Sequence, residues 1–551
     1  MRRAADLLVE CLRTHGADRI FCVPGESYLE LLDALLDAPD IDTVVCRHEG
    51  GAGLMAVADA KITGRPGVVA VSRGPGATNA AIAVHVAEQD AVPLVVLIGQ
   101  VARHERGRGA FQEVDYTAMF GAVAKGVWEV HDSDRLPEAV ARAWHAAQAG
   151  TPGPALIALP EDMLSERTGA PALAPHPVVR GQPGAAELDA VLARIEAAER
   201  PLLIAGGLLA GPEGRAALGR AAEAHRLPVA LSFKHQDIFD NRSPLYAGHL
   251  GFKVPASLIE ALAGADLVLA VGTRLGDTPT QGYAFPRAPE PRQPLIHVYP
   301  DPEVVGGVYR PAIGLVCDPA ALLAALAGRN AAVRGDREGW CARVNGAARA
   351  LAGYRPEPRP DGVDFGAVVA ELAARAPRDT IVTTDAGNFS SWVHSLWPWD
   401  GTQTAIGSVG GAMGLGVPGA VAACLREPGR TVIAFCGDGG LMMTGNELAT
   451  AAARGAKPRI VVSNNRSYGT IRLHQERDHP RRVAATDLVN PDFAAWGRAF
   501  GALGLSVTRP EEAAGAVAEA LAHDGPAVID VASSLEAISA YTTIARLRGE
   551  A

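Results

Sequence analysis

The stretch GDGGLMMTGNELATAAARGAKPRIVVSNN, residues 437–465, sets one carboxylate between two glycines and ends on two adjacent amides. An apolar run, TVIAFC, leads into it, and a second, RIVVS, leads to the amides. Read as strand, turn, helix and strand, it brings both polar groups to the carboxyl ends of neighbouring parallel strands, where open α/β sheets collect their ligands. Gly437 and Gly439 let the backbone turn sharply and approach a ligand closely. Gly440 and the helix start supply free N–H groups and a positive dipole end, which suit a phosphate. Asp438 is then placed to hold a hard cation. Asn464 and Asn465 end the next run, so an amide oxygen can reach the same ion. Mg²⁺ takes a few protein oxygens and completes its octahedron with phosphate oxygens. The expected object is a diphosphate clamped through Mg²⁺. GDG alone would be an ordinary turn; the Asn pair one helix and one strand later carries the reading.

The elements that must position these groups are legible along the whole chain. Short apolar runs such as GVVAVS (67–72), PLVVLIG (93–99), PALIALP (154–160), PLLIAGG (201–207), DLVLAVG (266–272), TIVTTD (380–385) and PAVIDV (526–531) alternate with Ala-rich helical stretches. Runs this apolar suit strands buried on both faces, and helices between them make the sheets parallel. The fold class is α/β with several doubly wound units. Two Pro- and Gly-rich shifts, at 166–187 and 354–364, divide the chain into thirds of ordinary domain size. The expected domains are 1–168, 186–345 and 361–540. VVAVSRGPGATNAAIAVHVAEQDAVPLVVLIG in the first third repeats the plan of the opening stretch. Two such domains separated by a third suggest one ligand held between the matching pair.

Bulk composition narrows the partners. The chain has 551 residues, 48% apolar and 20% charged, with net charge −10. Basic residues are scattered, which disfavours a nucleic-acid or anionic membrane surface. No run of eighteen apolar residues appears, so no membrane span is expected. The N-terminus reads as an amphipathic surface helix rather than a signal peptide. Seven cysteines without a CxxC pair point to a reduced, cytoplasmic protein with buried apolar thiols.

GDG, then 24 residues, then NN resembles the binding motif of thiamine-diphosphate-dependent enzymes. RHE, GRPG, GPGATN, GQVAR and AFQE follow in order in the first third and resemble the pyrimidine-binding domain of the acetolactate synthase branch, with PGPALIALPEDM (152–163) at its close. The resemblance implies three doubly wound parallel-sheet domains: pyrimidine-binding, central Rossmann-like and diphosphate-binding. It implies Mg²⁺ ligands at Asp438, Asn465 and the carbonyl of Ser467, and a diphosphate cradle at Gly437, Gly439 and Gly440. It also implies an apolar wedge at Met413 under the bent cofactor and a carbonyl at Gly411 for the 4′-amino group. Met413 taken alone would be ordinary core filling. Glu49, in RHEGG, would hydrogen-bond pyrimidine N1′ and share its proton with the ring. The resemblance further implies that the cofactor would supply the electron sink, with a 2-keto acid decarboxylated to an enamine at thiazolium C2 and its acyl unit passed to an acceptor. The resemblance also implies an active site between subunits, with a homodimer as the expected minimum and a homotetramer as the family's common form.

Some positions depart from that branch. Gln112, in AFQE, matches a substrate-side glutamine, with Phe111 beside it, and Lys125 matches a lysine of the branch. Glu26 stands where these synthases carry Gly; simple 2-keto acid decarboxylases have a proton-relaying Asp there, but their His-His partner is missing. Arg73 replaces a small residue, Thr278 an Arg that anchors the second keto acid, and His474 a specificity Trp. Arg73 could bind a substrate carboxylate and Glu26 could protonate the enamine; equally, the two could pair with each other and shape the pocket. GHLGF (248–252) and GTRLGD (272–277) lie where FAD-contacting loops run in the synthases, and relatives bind ADP or nothing there. The main rival within the family is a 2-hydroxyacyl-CoA lyase, an oxalyl-CoA decarboxylase or a simple keto acid decarboxylase. Outside it, a nicotinamide-dependent oxidoreductase finds no GxGxxG with a downstream acid. An inactive binding subunit is opposed by the presence of Glu49, Asp438 and Asn465 together.

Overall fold

The computed structural model describes residues 1–252, 254–329, 332–353 and 355–550; residue 354, the first of the second linker, lies outside them. Three six-stranded sheets carry the chain. The N-terminal sheet runs in the spatial order Asp42–Val45, Arg19–Cys22, Gly67–Ser72, Leu94–Gln100, Pro154–Pro160, Gly126–Glu129. The C-terminal sheet runs Thr404–Gly407, Ile381–Thr384, Val432–Gly437, Arg459–Asn464, Ala527–Ala532, Leu503–Val507. Numbered within its own sheet, each has the order 2-1-3-4-6-5, and every pairing is parallel. The central sheet runs Tyr246–Leu250, Val229–Ser232, Pro201–Ala205, Leu267–Val271, Leu295–Tyr299, Ile313–Val316, the 3-2-1-4-5-6 order of dinucleotide-binding folds.

Burial explains which runs became inner strands. Every residue of Leu94–Gln100 and of Pro154–Pro160 is buried, as expected for strands covered by helices on both faces. Edge strands such as Gly126–Glu129 are only half-buried. In both outer sheets the order reverses between the first and third strands, and ligand sites form at such switch points. The loops that leave there carry Glu26 and Arg73 in the first sheet, and Asp385 and Asp438 in the last.

The two outer domains share one apolar core. Helix Glu49–Thr63 of the first packs on Gly416–Arg426 of the last and on Arg73–Gln89 of its own domain, joining Met55, Ala83, Val417, Ala420 and Val421 in one cluster. Across the seam Gly419 faces Ala58, where an added Cβ would lie 3.7 Å from that of Ala58; within the first domain a Cβ on Gly53 would lie 2.4 Å from that of Ala83, so its two helices also pack closely. Arg426 ties the seam with ion pairs of 2.9 Å to Asp18 and 2.8 Å to Asp59. All seven cysteines are buried and unpaired. Among the described residues no helix is long and apolar enough to cross a membrane.

Candidate active site

A cavity of about 930 Å³ opens between the carboxyl end of the C-terminal sheet and the central domain, with His85 and Gln89 of the N-terminal domain at one side. Gly411, Met413, Gly437, Asp438, Gly439, Gly440, Asn465 and Ser467 all line it. Asp438 is 2% exposed, and burial raises its pKa. Its oxygens accept N–H bonds from Gly439 (2.9 Å) and the Asn490 amide (2.8 Å). No cationic side chain pairs with it among the described residues. A buried carboxylate with only neutral partners is costly unless a cation joins it.

The two asparagines differ. Asn464 turns back into the sheet, donating to Asp530 (3.0 Å) and accepting from Asn490 (2.9 Å). Asn465 faces the cavity, and its amide oxygen accepts the N–H of Ser467 at 3.1 Å. The Ser467 hydroxyl is buried without a partner. These oxygens fit a hard octahedral ion. Among the described residues no group of three His, Cys, Asp or Glu could hold a metal alone, so a set this small draws on oxygens of the ligand itself.

The glycines of the turn are also demanded by the protein. A Cβ on Gly439 would lie 2.5 Å from the Tyr468 ring, and one on Gly440 would lie 2.2 Å from a carboxylate oxygen of Asp385. Asp385 escaped the sequence reading. It ends the first strand of the sheet as Asp438 ends the third, and its motif, TTDAG, repeats the strand–acid–glycine pattern. Its Oδ1 accepts the N–H groups of Gly414 (2.5 Å) and Leu415 (3.0 Å), fixing the backbone beside Met413, and burial pushes its pKa up to about 6. Asn490 was also missed; it lies 52 residues from Asp438, with no local pattern to announce it.

The loop before Met413 is held from the N-terminal domain. Asp90 accepts N–H bonds from Val409 (2.8 Å) and Gly410 (3.1 Å), and Lys61 bridges Asp90 (2.5 Å) to the Gly407 carbonyl (2.6 Å). Gly411 follows with φ +71°, a left-handed conformation that glycine adopts freely.

The N-terminal candidates lie apart from this cavity. Glu49 is the first residue of helix Glu49–Thr63, and its Oε2 accepts from the Asn79 amide at 2.9 Å. The preceding backbone is anchored by Glu447, which takes the N–H groups of Arg47 and His48 at 3.0 Å each. Arg73 is 8% exposed and has φ +41°; its guanidinium meets Glu26 at 3.1 Å and Glu161 at 2.5 Å. The backbone carbonyl of Gln112 caps the same turn by accepting from Gly74 at 3.0 Å. Phe111 stands 72% exposed beside it. Lys125 precedes strand Gly126–Glu129, at the opposite, amino end of the sheet, bonded to the carbonyls of Ala149 and Thr151. In the central domain, His249, Phe252 and Thr278 line the cavity, and His474 lies beside it against Phe252, ring centroids 6.1 Å apart.

Comparison with known proteins agrees with this architecture. The family model described as thiamine pyrophosphate enzyme, N-terminal TPP binding domain, matches residues 2–119; the central-domain model matches 188–326, and the C-terminal TPP binding domain model matches 385–531. Fold and site thus define a thiamine-diphosphate-dependent enzyme. An acetolactate synthase large subunit from Parasynechococcus marenigrum is 34% identical over 543 residues, covering 96% of this chain and 87% of the relative. Acetolactate synthase isozyme 2 large subunit from Escherichia coli is 31% identical over 538 residues, covering 96% and 95%. The chain belongs to the acetolactate synthase-like branch of the thiamine-diphosphate-dependent family.

Proposed function

We propose that this chain decarboxylates a 2-keto acid and passes the acyl unit to an acceptor, using thiamine diphosphate held through Mg²⁺. The buried Asp438, left with neutral partners beside the Asn465 amide and the Ser467 loop, is the observation that carries the reading. Asp438, Asn465 and the Ser467 carbonyl would hold the ion, and Gly437, Gly439 and Gly440 would let the diphosphate approach. Met413 and the Gly411 carbonyl would support and orient the rings. When bound, the cofactor supplies the electron sink for the carbanion. The protein's own part is to hold that geometry, exclude water and manage the proton at pyrimidine N1′ through Glu49.

Glu49 does not line the cavity of its own chain. Its partner Asn79 lies on a face of helix Arg73–Gln89 that leaves Ile82 and His85 exposed, and Met442 and Met443 are exposed just after the GDG turn. Exposed apolar residues beside both halves of a site support its completion by a second copy, as a homodimer or a dimer of dimers. Gln112 and Glu26 would then approach the reacting centre from the partner subunit, with Arg73 held in its ion pairs to Glu26 and Glu161 and shaping the pocket.

Calorimetry tests the site. Thiamine diphosphate should bind the chain in the presence of Mg²⁺, and Asp438→Ala should weaken that binding by about a hundredfold or more. Binding that ignores both Mg²⁺ and the substitution would end the assignment. A panel of keto acids, read for CO₂ and for carbon–carbon product, identifies donor and acceptor.

A further inference from the structure

We propose that the part of the cavity wall where Lys234 meets His249 and His394 is a subsite for a carboxylate of the substrate. The inference rests on the function proposed above and names the residues that would recognise the substrate's charge.

Lys234 comes from the loop after the central strand Val229–Ser232 and crosses to the C-terminal sheet. Its stem lies on Gly407, where an added Cβ would sit 2.8 Å from the lysine Cδ. Its Nζ donates to the Thr384 hydroxyl (2.8 Å) and the Asp385 carbonyl (3.3 Å), and the residue is 4% exposed. An ammonium has three donors and two are used. The only other lysine or arginine lining the cavity among the described residues is Arg477, which pairs with Asp478 at 2.6 Å. Among the described residues no carboxylate comes within 4.0 Å of the Lys234 ammonium. The Asp385 carboxylate nearby is engaged by backbone N–H groups, and Asp277 stands exposed at the rim.

Two imidazoles line the same wall, and the Phe233 ring they share lies 5.4 Å from the Lys234 Nζ. The rings of His249 and His394 have centroids 5.0 Å apart, and Phe233 packs against both at 6.2 and 6.1 Å. The Gln236 amide engages Nδ1 of His394, while Nε2 of each histidine is buried without a partner. Burial holds both imidazoles neutral, His249 down to about 3. A neutral imidazole still donates one N–H. One desolvated ammonium and two unsatisfied imidazole nitrogens in a mostly apolar pocket are the equipment for holding a carboxylate, whose charge-assisted bonds are strong there.

The test uses the full chain loaded with thiamine diphosphate and Mg²⁺, with pyruvate, 2-oxobutanoate and benzoylformate as probes. Lys234→Met should raise KM for the carboxylate probes about tenfold or more with kcat little changed, and Lys234→Arg should recover part of the loss. His394→Phe should raise KM by about threefold or more. A rise seen in CO₂ release places the donor's carboxylate there; a rise confined to product formation places the acceptor's. The neutral ester methyl pyruvate, offered as acceptor, should be indifferent to Lys234→Met. Unchanged KM in both variants, an arginine variant no better than methionine, or wild-type holoenzyme that binds none of the three probes overturns the proposal. Cofactor calorimetry on the same samples separates that failure from failure of the function itself, because a chain that never binds thiamine diphosphate sinks the larger reading first.

Discussion

Glu49 and Arg73 occupy equivalent places, each at the start of a helix in the N-terminal domain, yet their surroundings predict opposite behaviour. Among the described residues Glu49 has one side-chain partner, the neutral Asn79 amide on Oε2, which leaves Oε1 for a ligand. Glu49→Gln should fold and bind cofactor but lose about a hundredfold or more in turnover, read as kcat on any accepted keto acid. Unchanged turnover would remove Glu49 from the chemistry. Arg73 has its guanidinium ends taken by Glu26 and Glu161. Arg73→Ala should therefore cost about 1–2 kcal/mol of stability, measured by denaturant unfolding, with KM little changed. A large rise in KM would instead make Arg73 a carboxylate anchor. At this scale the sequence announced what is local. Asp438 and Asn465 were legible because one helix and one strand fix their spacing. Asn490 and Lys234 were not, because they reach the site only when distant strands are laid side by side.

Between elements, two devices hold the site together. Glu447, fully buried, fastens the turn before helix Glu49–Thr63 to the C-terminal domain through the N–H groups of Arg47 and His48 and the Thr450 hydroxyl. Glu447→Ala strands those donors and should cost about 2–3 kcal/mol, seen as a lower thermal midpoint; Glu447→Gln, which can still accept, should cost less. The second device is the histidine pair. His249 and His394 lie next to Lys234 and, for His249, next to His235, and burial and these basic neighbours disfavour their protonation. The unfolded chain takes up protons near an ordinary histidine pKa of about 6.5 while the native chain does not, so stability is full above that value and falls as pH drops below it. Between about pH 7 and about pH 5 the denaturant midpoint should decline, each such imidazole contributing up to about 1.4 kcal/mol per pH unit. The double variant His249→Leu, His394→Leu should flatten that slope. Elements themselves were legible in proportion to burial. Inner strands such as Leu94–Gln100 announced themselves as unbroken apolar runs. Edge strands such as Asp42–Val45 and Ile313–Val316, partly exposed, carried no such run and escaped notice.

At the scale of the whole molecule, the proposed division of the site between copies makes a sharp prediction. Glu49→Gln and Asp438→Ala chains, each inactive alone, should regain activity when mixed, dissociated and reassembled. Random pairing puts one intact site in half of the dimers, so about a quarter of wild-type activity should return. No recovery would confine the site to one chain. The three-sheet plan was readable because matching strand–turn–helix–strand segments recur in the outer thirds; the packing of those thirds against each other was not, because Ala- and Gly-rich helices such as Glu49–Thr63 look equally buried whichever partner covers them. That seam governs what the chain can survive losing. Expressed without its first third, the last third would uncover Val417, Ala420 and Val421 and should clump, whereas the middle third, whose apolar clusters draw only on its own residues, should stand alone as a monomer.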